Sequence, residues 1–356
     1  MTDGSGLRLE LLQELLSTYG PCGQEDAVRE ICRRELAPSV DDLWVDEAGN
    51  LVGLIRGDDG PATRVMAHMD ELSMLVKRIE PDGTLHLSQL GTMYPGNFGL
   101  GPVAVLGDAE TLIGILALGS EHTTQESQRI WQTKPDGGDK ALDWTRVYVF
   151  TGRTPEQLTA AGVRPGTRVC VERSKRTLVE FGDYIGCYFM EDRAALTVLL
   201  EAARRLREPE QRPAGDVYLV FTTNEEIGGV GGAYANRTLP GDLALALDVG
   251  PTEEEYGTTV GGGPIIAYSD AAGIYDKAVA DRLMEVADEL GLSPQAAVLG
   301  ALESDASHAK AGGLAPRAGL LCLPTLSTHG YEVVAREAIP MLTKVLVEFL
   351  RHPQQD

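Results

Sequence analysis

The chain has 356 residues, 43% of them hydrophobic and 24% charged, which suits a globular protein with room for about two domains. Asp and Glu number 53 against 31 Lys and Arg, a formal net charge of −22. Such a surface repels phosphate backbones and anionic lipid, so neither nucleic acid nor a membrane surface is expected as a partner.

In chain order, Leu9, Leu12 and Leu16 recur at helical spacing with Glu10 and Glu14 between them. They predict an amphipathic helix closed by Gly20-Pro21, not a secretion signal. Residues 42–56 read as two strands around the turn Glu47-Ala48-Gly49-Asn50, and 64–67 as a short strand ending at His68. From 73 to 172 the character changes. Short β-like runs at 74–79, 85–90, 103–106, 111–118, 147–150 and 168–171 are separated by Gly, Pro and Asp, with little helix between them. That pattern predicts a small β-barrel or sandwich. Residues 121–140 read as a polar loop.

Beyond 190 the alternation of helix and strand returns. Helices are predicted at 193–206, 275–290 and 336–350, and strands at 217–222, 243–247 and 318–323. The expected fold is α/β, a mixed and mostly parallel sheet sandwiched by helices. A discontinuous α/β domain (1–72 plus 173–356) is split by a β-barrel-like insertion (73–172). No apolar run approaches the ~18–20 residues of a membrane span. The five cysteines (Cys22, Cys32, Cys170, Cys187, Cys322) are scattered and form no C-x-x-C, which points to a reducing cytoplasm.

Four polar clusters follow predicted strands: His68 with Asp70, Glu225 with Glu226, Asp248, and His329 with Glu332. Ligand sites in open α/β sheets lie beyond the carboxyl ends of the strands. A fifth cluster, Glu191-Asp192-Arg193, opens a helix, where carboxylates face the positive end of the dipole. Each has a bland reading alone: a hydrogen-bonded strand-end histidine, an exposed helix start, an N-cap. In His-x-Asp the carboxylate can fix the tautomer of a metal-bound imidazole. The small residues 228–232 after Glu226 let a backbone approach a site closely. Glu253-Glu254-Glu255 reads as solvated surface, His86, His122 and His352 as non-ligands, and His308 as supportive.

Oxygen and imidazole donors without cysteine suit zinc, manganese or cobalt. His68, Glu191 or Asp192, Glu226, Asp248 and His329 are too many for one tetrahedral ion. Two divalent ions sharing a carboxylate account for all five, and such a centre attacks an acyl or phosphoryl group with activated water.

The order AHMDE (67–71), MEDR (190–193), TNEEIGGVGGA (223–233), LDVG (247–250) and STHGYE (327–332) resembles the dinuclear metallo-aminopeptidases that include glutamyl aminopeptidase and the tetrahedral aminopeptidases. The likeness spans nearly the whole chain. It implies a zinc-peptidase-like fold and removal of N-terminal residues from peptides. It further implies two metal ions, with His68 and Asp248 on one and Glu226 and His329 on the other. Glu225 would be the general base and Asp70 would orient His68. The β insertion would mediate dimerisation, with tetrahedral dodecamers built from dimers. One departure stands out. The family usually has Asp-Asp-Arg where this chain has Glu191-Asp192-Arg193. Glu191 then takes the bridging role, its carboxylate displaced by ~1.5 Å, one C–C bond, or Asp192 substitutes, or one metal site weakens.

Rival readings are discriminated by the same residues. A Rossmann dehydrogenase lacks the third glycine at 229–234 and would bring a phosphate against two glutamates. A two-carboxylate glycosidase leaves His68 and His329 without a role. A metal-dependent amidase or deacylase, or a homologue with weak or lost activity owing to Glu191, shares the ligand set and is separated only by assay.

Overall fold

The computed structural model describes residues 8–134, 138 and 140–353. In chain order come α1 (Leu9–Ser17), α2 (Asp26–Leu36), β1 (Asp42–Val45), β2 (Leu51–Ile55) and β3 (Gly60–His68). Next are β4 (Ser73–Ile79), β5 (Leu85–Leu90), α3 (Pro95–Phe98), β6 (Gly101–Leu106), β7 (Thr111–Ala117), α4 (Gln128–Trp131), β8 (Tyr148–Phe150), α5 (Pro155–Ala160) and β9 (Arg168–Val171). The chain continues through β10 (Val179–Phe181), β11 (Tyr184–Tyr188), α6 (Met190–Leu206), β12 (Gly215–Thr222), α7 (Val230–Thr238), β13 (Leu243–Pro251) and β14 (Ile265–Asp270). It ends with α8 (Lys277–Glu289), β15 (Gln295–Leu299), α9 (Asp305–Ala311), β16 (Arg317–Leu326), β17 (Tyr331–Ala335) and α10 (Ala338–Arg351).

These elements form two compact units. The first joins Met1–Glu71, Leu178–Thr328 and Glu332–Asp356, and the second is Leu72–Thr177 with His329–Tyr331. The first unit carries an eleven-stranded sheet in the order β1-β2-β12-β3-β13-β16-β17-β11-β10, with β14 on β16 and β15 on β14. Its centre, β12-β3-β13-β16, is parallel. Parallel strands buried on both faces show period two in which core they join, not in polarity. Leu243, Leu245 and Leu247 pack on one face, and Ala244 and Ala246 on the other. Phe221, fully buried on β12, belongs to the first of these cores. Phe221→Ala is expected to cost about 3–5 kcal/mol by cavity formation, read as a lower urea midpoint.

The second unit is a closed barrel, β4-β5-β8-β7-β6-β9. Its inner positions include Leu112 and Leu116 of β7, which are buried. The outer positions Ile113 and Ile115 stand exposed, as does Phe150, which pairs directly with Ile115.

Three differences from the predicted elements have local causes. The strand expected at 243–247 runs on to Pro251, because β16 pairs with it residue for residue as far as Thr325. Asp248 therefore lies inside a strand. Tyr275 precedes its helix, since Asp276 caps α8 by accepting the Val279 N–H. The strands β10, β11, β14, β15 and β17 were absent from the sequence reading, being short or poorly alternating. Among the described residues no helix is long and apolar enough to cross a membrane.

Candidate metal centre

Register brings the first two candidates together. Met66 of β3 sits opposite Ala246 of β13, on one face of the sheet. Two residues on, along each strand, are His68 and Asp248, which therefore emerge side by side on that face at the carboxyl edge. Glu225 and Glu226 follow β12, the other neighbour of β3. Glu191 and Asp192 stand at the head of α6 with non-helical backbone (φ −77°, ψ 110° and φ −114°, ψ 28°), so regular helix starts at Arg193. Arg193 is anchored there by a buried ion pair to Glu71 at 2.7 Å.

Among the described residues, two sets of ligand atoms each converge within 4.8 Å of one another: His68, Asp192 and Asp248 in one, His68, Glu191 and Glu226 in the other. All are buried except the half-buried Glu226. His68 Nε2 and Asp192 Oδ1 are buried and accept or donate no hydrogen bond. Buried polar atoms without partners are costly, and four carboxylates around one imidazole repel one another. Divalent cations would satisfy both, and the all-oxygen-and-imidazole donors fit borderline ions.

Carboxylates also hold the backbone of these residues. His68 N–H donates to Asp192 Oδ2 at 3.0 Å and Glu191 N–H to Glu332 Oε2 at 2.8 Å. Glu225 and Glu226 N–H donate to the two oxygens of Asp70 at 3.0 and 3.1 Å. The Nδ1 of His68 lies 3.1 Å from the Asp70 carbonyl and 3.6 Å from its carboxylate. The carbonyl is the nearer acceptor, and a donating Nδ1–H leaves Nε2 as the ligand atom.

The electrostatics follow from crowding. Burial pushes Asp192, Glu225 and Asp248 well above the usual carboxylate range. His68 opposes that rise in all three, while neighbouring carboxylates add to it. Burial alone would lower His68, but Asp70, Asp192 and Glu225 together hold it well above the ordinary histidine value. Burial would raise Asp70, yet His68, the Glu225 amide and the Cys22 thiol bring it below its ordinary value.

The other candidates are placed as follows. His329 falls in the second unit, in the left-handed region (φ 61°), with Nδ1 against the Thr92 carbonyl. It is not in either convergent set. His308 pairs with Glu303 at 3.1 Å, and Glu253, Glu254 and Glu255 are exposed. Asp305, at the start of α9, is buried, accepts from the Thr222 hydroxyl at 2.5 Å, and is raised by burial to about 6. Sequence reading missed the roles of Cys22 and Glu25. Both are buried beside the site, but their segment, Gly20-Pro21-Cys22-Gly23-Gln24-Glu25, carries only a helix-stop signal.

The M42 glutamyl aminopeptidase family model matches residues 49–345. A putative aminopeptidase of Acetivibrio thermocellus is 27% identical, over 95% of this chain and 97% of its own. The structure of an aminopeptidase from the archaeon Desulfurococcus kamchatkensis superposes with a TM-score of 0.87 at 26% identity, covering 98% of this chain and 96% of that one. The TET1 peptidase of Pyrococcus horikoshii, which can assemble into a tetrahedron or a large octahedral shell, matches with a TM-score of 0.83 at 24% identity, covering 96% and 98%. A family model spanning most of the chain, with the convergent acidic site inside it, places this protein in the M42 glutamyl aminopeptidase family.

Proposed function

We propose that this metal-dependent aminopeptidase holds two divalent ions with His68, Glu191, Glu226 and Asp248, with Asp192 as the alternative to Glu191 and His329 as the further ligand expected from the sequence. The observation that carries the reading is the pair of convergent ligand sets, buried except at Glu226, that share His68. Zinc is the expected metal, with cobalt or manganese as substitutes. Glu191 is the expected bridge: it converges with Glu226 and is also the leading charge acting on Asp248. Asp192, which already accepts from His68 N–H, is the alternative.

Divalent ions held by these residues would supply Lewis acidity toward the scissile carbonyl and would lower the pKa of water at the site. Glu225 takes the proton of the attacking water and delivers it to the leaving amine. Its raised pKa suits that exchange. Asp70 fixes the Glu225 backbone and, through its carbonyl, the ring of His68. A panel of aminoacyl anilides with added zinc, cobalt or manganese tests the activity. Hydrolysis of at least one is expected; cleavage of N-acylated substrates alone would overturn it. For the bridge, Glu191→Ala is expected to reduce the bound metal by at least one ion per chain by elemental analysis. Full occupancy of both sites would sink that role.

The inserted segment 73–172 is the proposed dimerisation domain. Its exposed stripe of Ile113, Ile115 and Phe150 is the kind of surface that association covers. A homo-oligomer, dimer or dodecamer, is the expected state. Five buried cysteines, none of them in a disulfide among the described residues, suit a reducing cytoplasm.

A further inference from the structure

The turn that carries Glu225 is held from a distant part of the chain. Asn224, just before it, is a non-glycine residue in the left-handed region (φ 54°). Such a conformation persists only where its surroundings over-determine it. Three consecutive amides of this turn each meet a buried carboxylate. Asn224 N–H donates to Glu25 Oε1 at 3.2 Å, and Glu225 and Glu226 N–H donate to Asp70. Neither carboxylate serves the turn alone. Glu25 Oε1 also accepts Gly23 N–H at 2.7 Å, and Asp70 Oδ2 also accepts the Cys22 thiol at 3.2 Å.

The 20–25 loop is itself fixed in place. Pro21 bridges to Glu71 in parallel fashion, and Glu71 N–H donates to the Gly20 carbonyl at 3.0 Å. Gly20 leaves no space for a side chain, since a Cβ would lie 2.7 Å from Val28 Cγ2 and 2.8 Å from Arg193 Nη2. Burial raises the Cys22 thiol far above its ordinary value, so it remains a donor rather than a thiolate.

We infer that the 20–25 loop belongs to the catalytic apparatus, with Cys22 and Glu25 as positioning residues for the turn that bears the general base. The inference rests on Glu225 being that base. Cys22 supplies the outer donor that holds the Asp70 carboxylate aimed at the two glutamate amides. Glu25 ties the strained Asn224 to the same loop. The side chains of Glu225 and Glu226 then leave a fixed backbone in different directions, one toward substrate protons and one toward metal.

The test compares Cys22→Ala and Glu25→Ala with the conservative Cys22→Ser and Glu25→Gln, all in the metal-loaded protein. Hydrogen exchange of the 224–226 amides is expected to quicken at least tenfold in the two alanine variants and to stay near wild type in the conservative ones. On an aminoacyl anilide, kcat is expected to fall about 10-fold in the alanine variants, with KM within about twofold and metal content unchanged. The conservative variants should recover most of that loss. Unchanged exchange in both alanine variants would remove the clamp. Faster exchange with unaltered kcat, or conservative variants as impaired as the alanines, would overturn the positioning role. Glu225→Gln is run alongside. Turnover surviving there would remove the base assignment, and with it the catalytic half of the inference, independently of the exchange result.

Discussion

Replacing Glu225 with Gln is expected to lower kcat by about 10²–10⁴-fold while both metal ions remain bound. The substitution keeps the shape and the backbone bond from Glu225 N–H to Asp70, so the ligand geometry has no reason to change. What it removes is the capacity to accept a proton. In the structure that capacity is tuned by burial and by Asp305, Asp248 and Glu226, against the opposing charge of His68. Glu226→Gln supplies the contrast. Its carboxylate belongs to a convergent ligand set, so this change should lower metal occupancy. Elemental analysis with anilide kinetics on both variants separates the roles. A Glu225→Gln protein within about threefold of wild-type turnover would end the assignment.

Metal loading should stabilise the fold by an amount that grows with pH. In the metal-free chain, Asp192, Glu225 and Asp248 have folded-state pKa values above their unfolded ones. The folded state then holds protons that the unfolded state has released. Raising the pH through the window between those values weakens the metal-free fold. His68, also raised, acts in the same direction: its contribution is present below about 6.5 and is lost as pH rises through its folded pKa. Asp70 is lowered, so its contribution is present above about 3.9 and disappears only at more acid pH. Metal binding requires the ligands deprotonated, so affinity strengthens with pH. At metal 100-fold above Kd the gain is about 2.7 kcal/mol per site. Melting curves with chelator and with zinc at pH 5, 6, 7 and 8 measure the gap. A gap that narrows with rising pH would contradict the ligand set.

Much of the barrel could be read from the sequence because its determinants are local. The strands at 85–90 and 168–171 agree with β5 and β9 to the residue, each bounded by turn residues. The polar clusters at the ends of β3 and β12 were equally legible, since an apolar run that stops at a histidine or a glutamate pair is itself a signal. Asp248 was harder. Its strand continues through it by pairing with β16, and nothing nearby in sequence announces that. The substituted pair Glu191-Asp192 was recognised as unusual, but its two carboxylates converge on different neighbours only because the backbone there departs from helix.

The sequence by itself determined the alternation of elements, the run of barrel strands and the choice of candidate ligands. These depend on periodicity and residue type over a few positions. Tertiary structure alone decided which acids hold distant backbone amides and which carboxylates converge. Asp192 and Glu332 support the amides of His68 and Glu191 over separations of 124 and 141 positions, and Glu25 supports that of Asn224 over 199. A carboxylate looks the same in sequence whether it is solvated, capping an amide or facing another carboxylate. Its role is set by which dipoles and charges surround it after burial, and strands far apart in the chain supply those only when register brings them together.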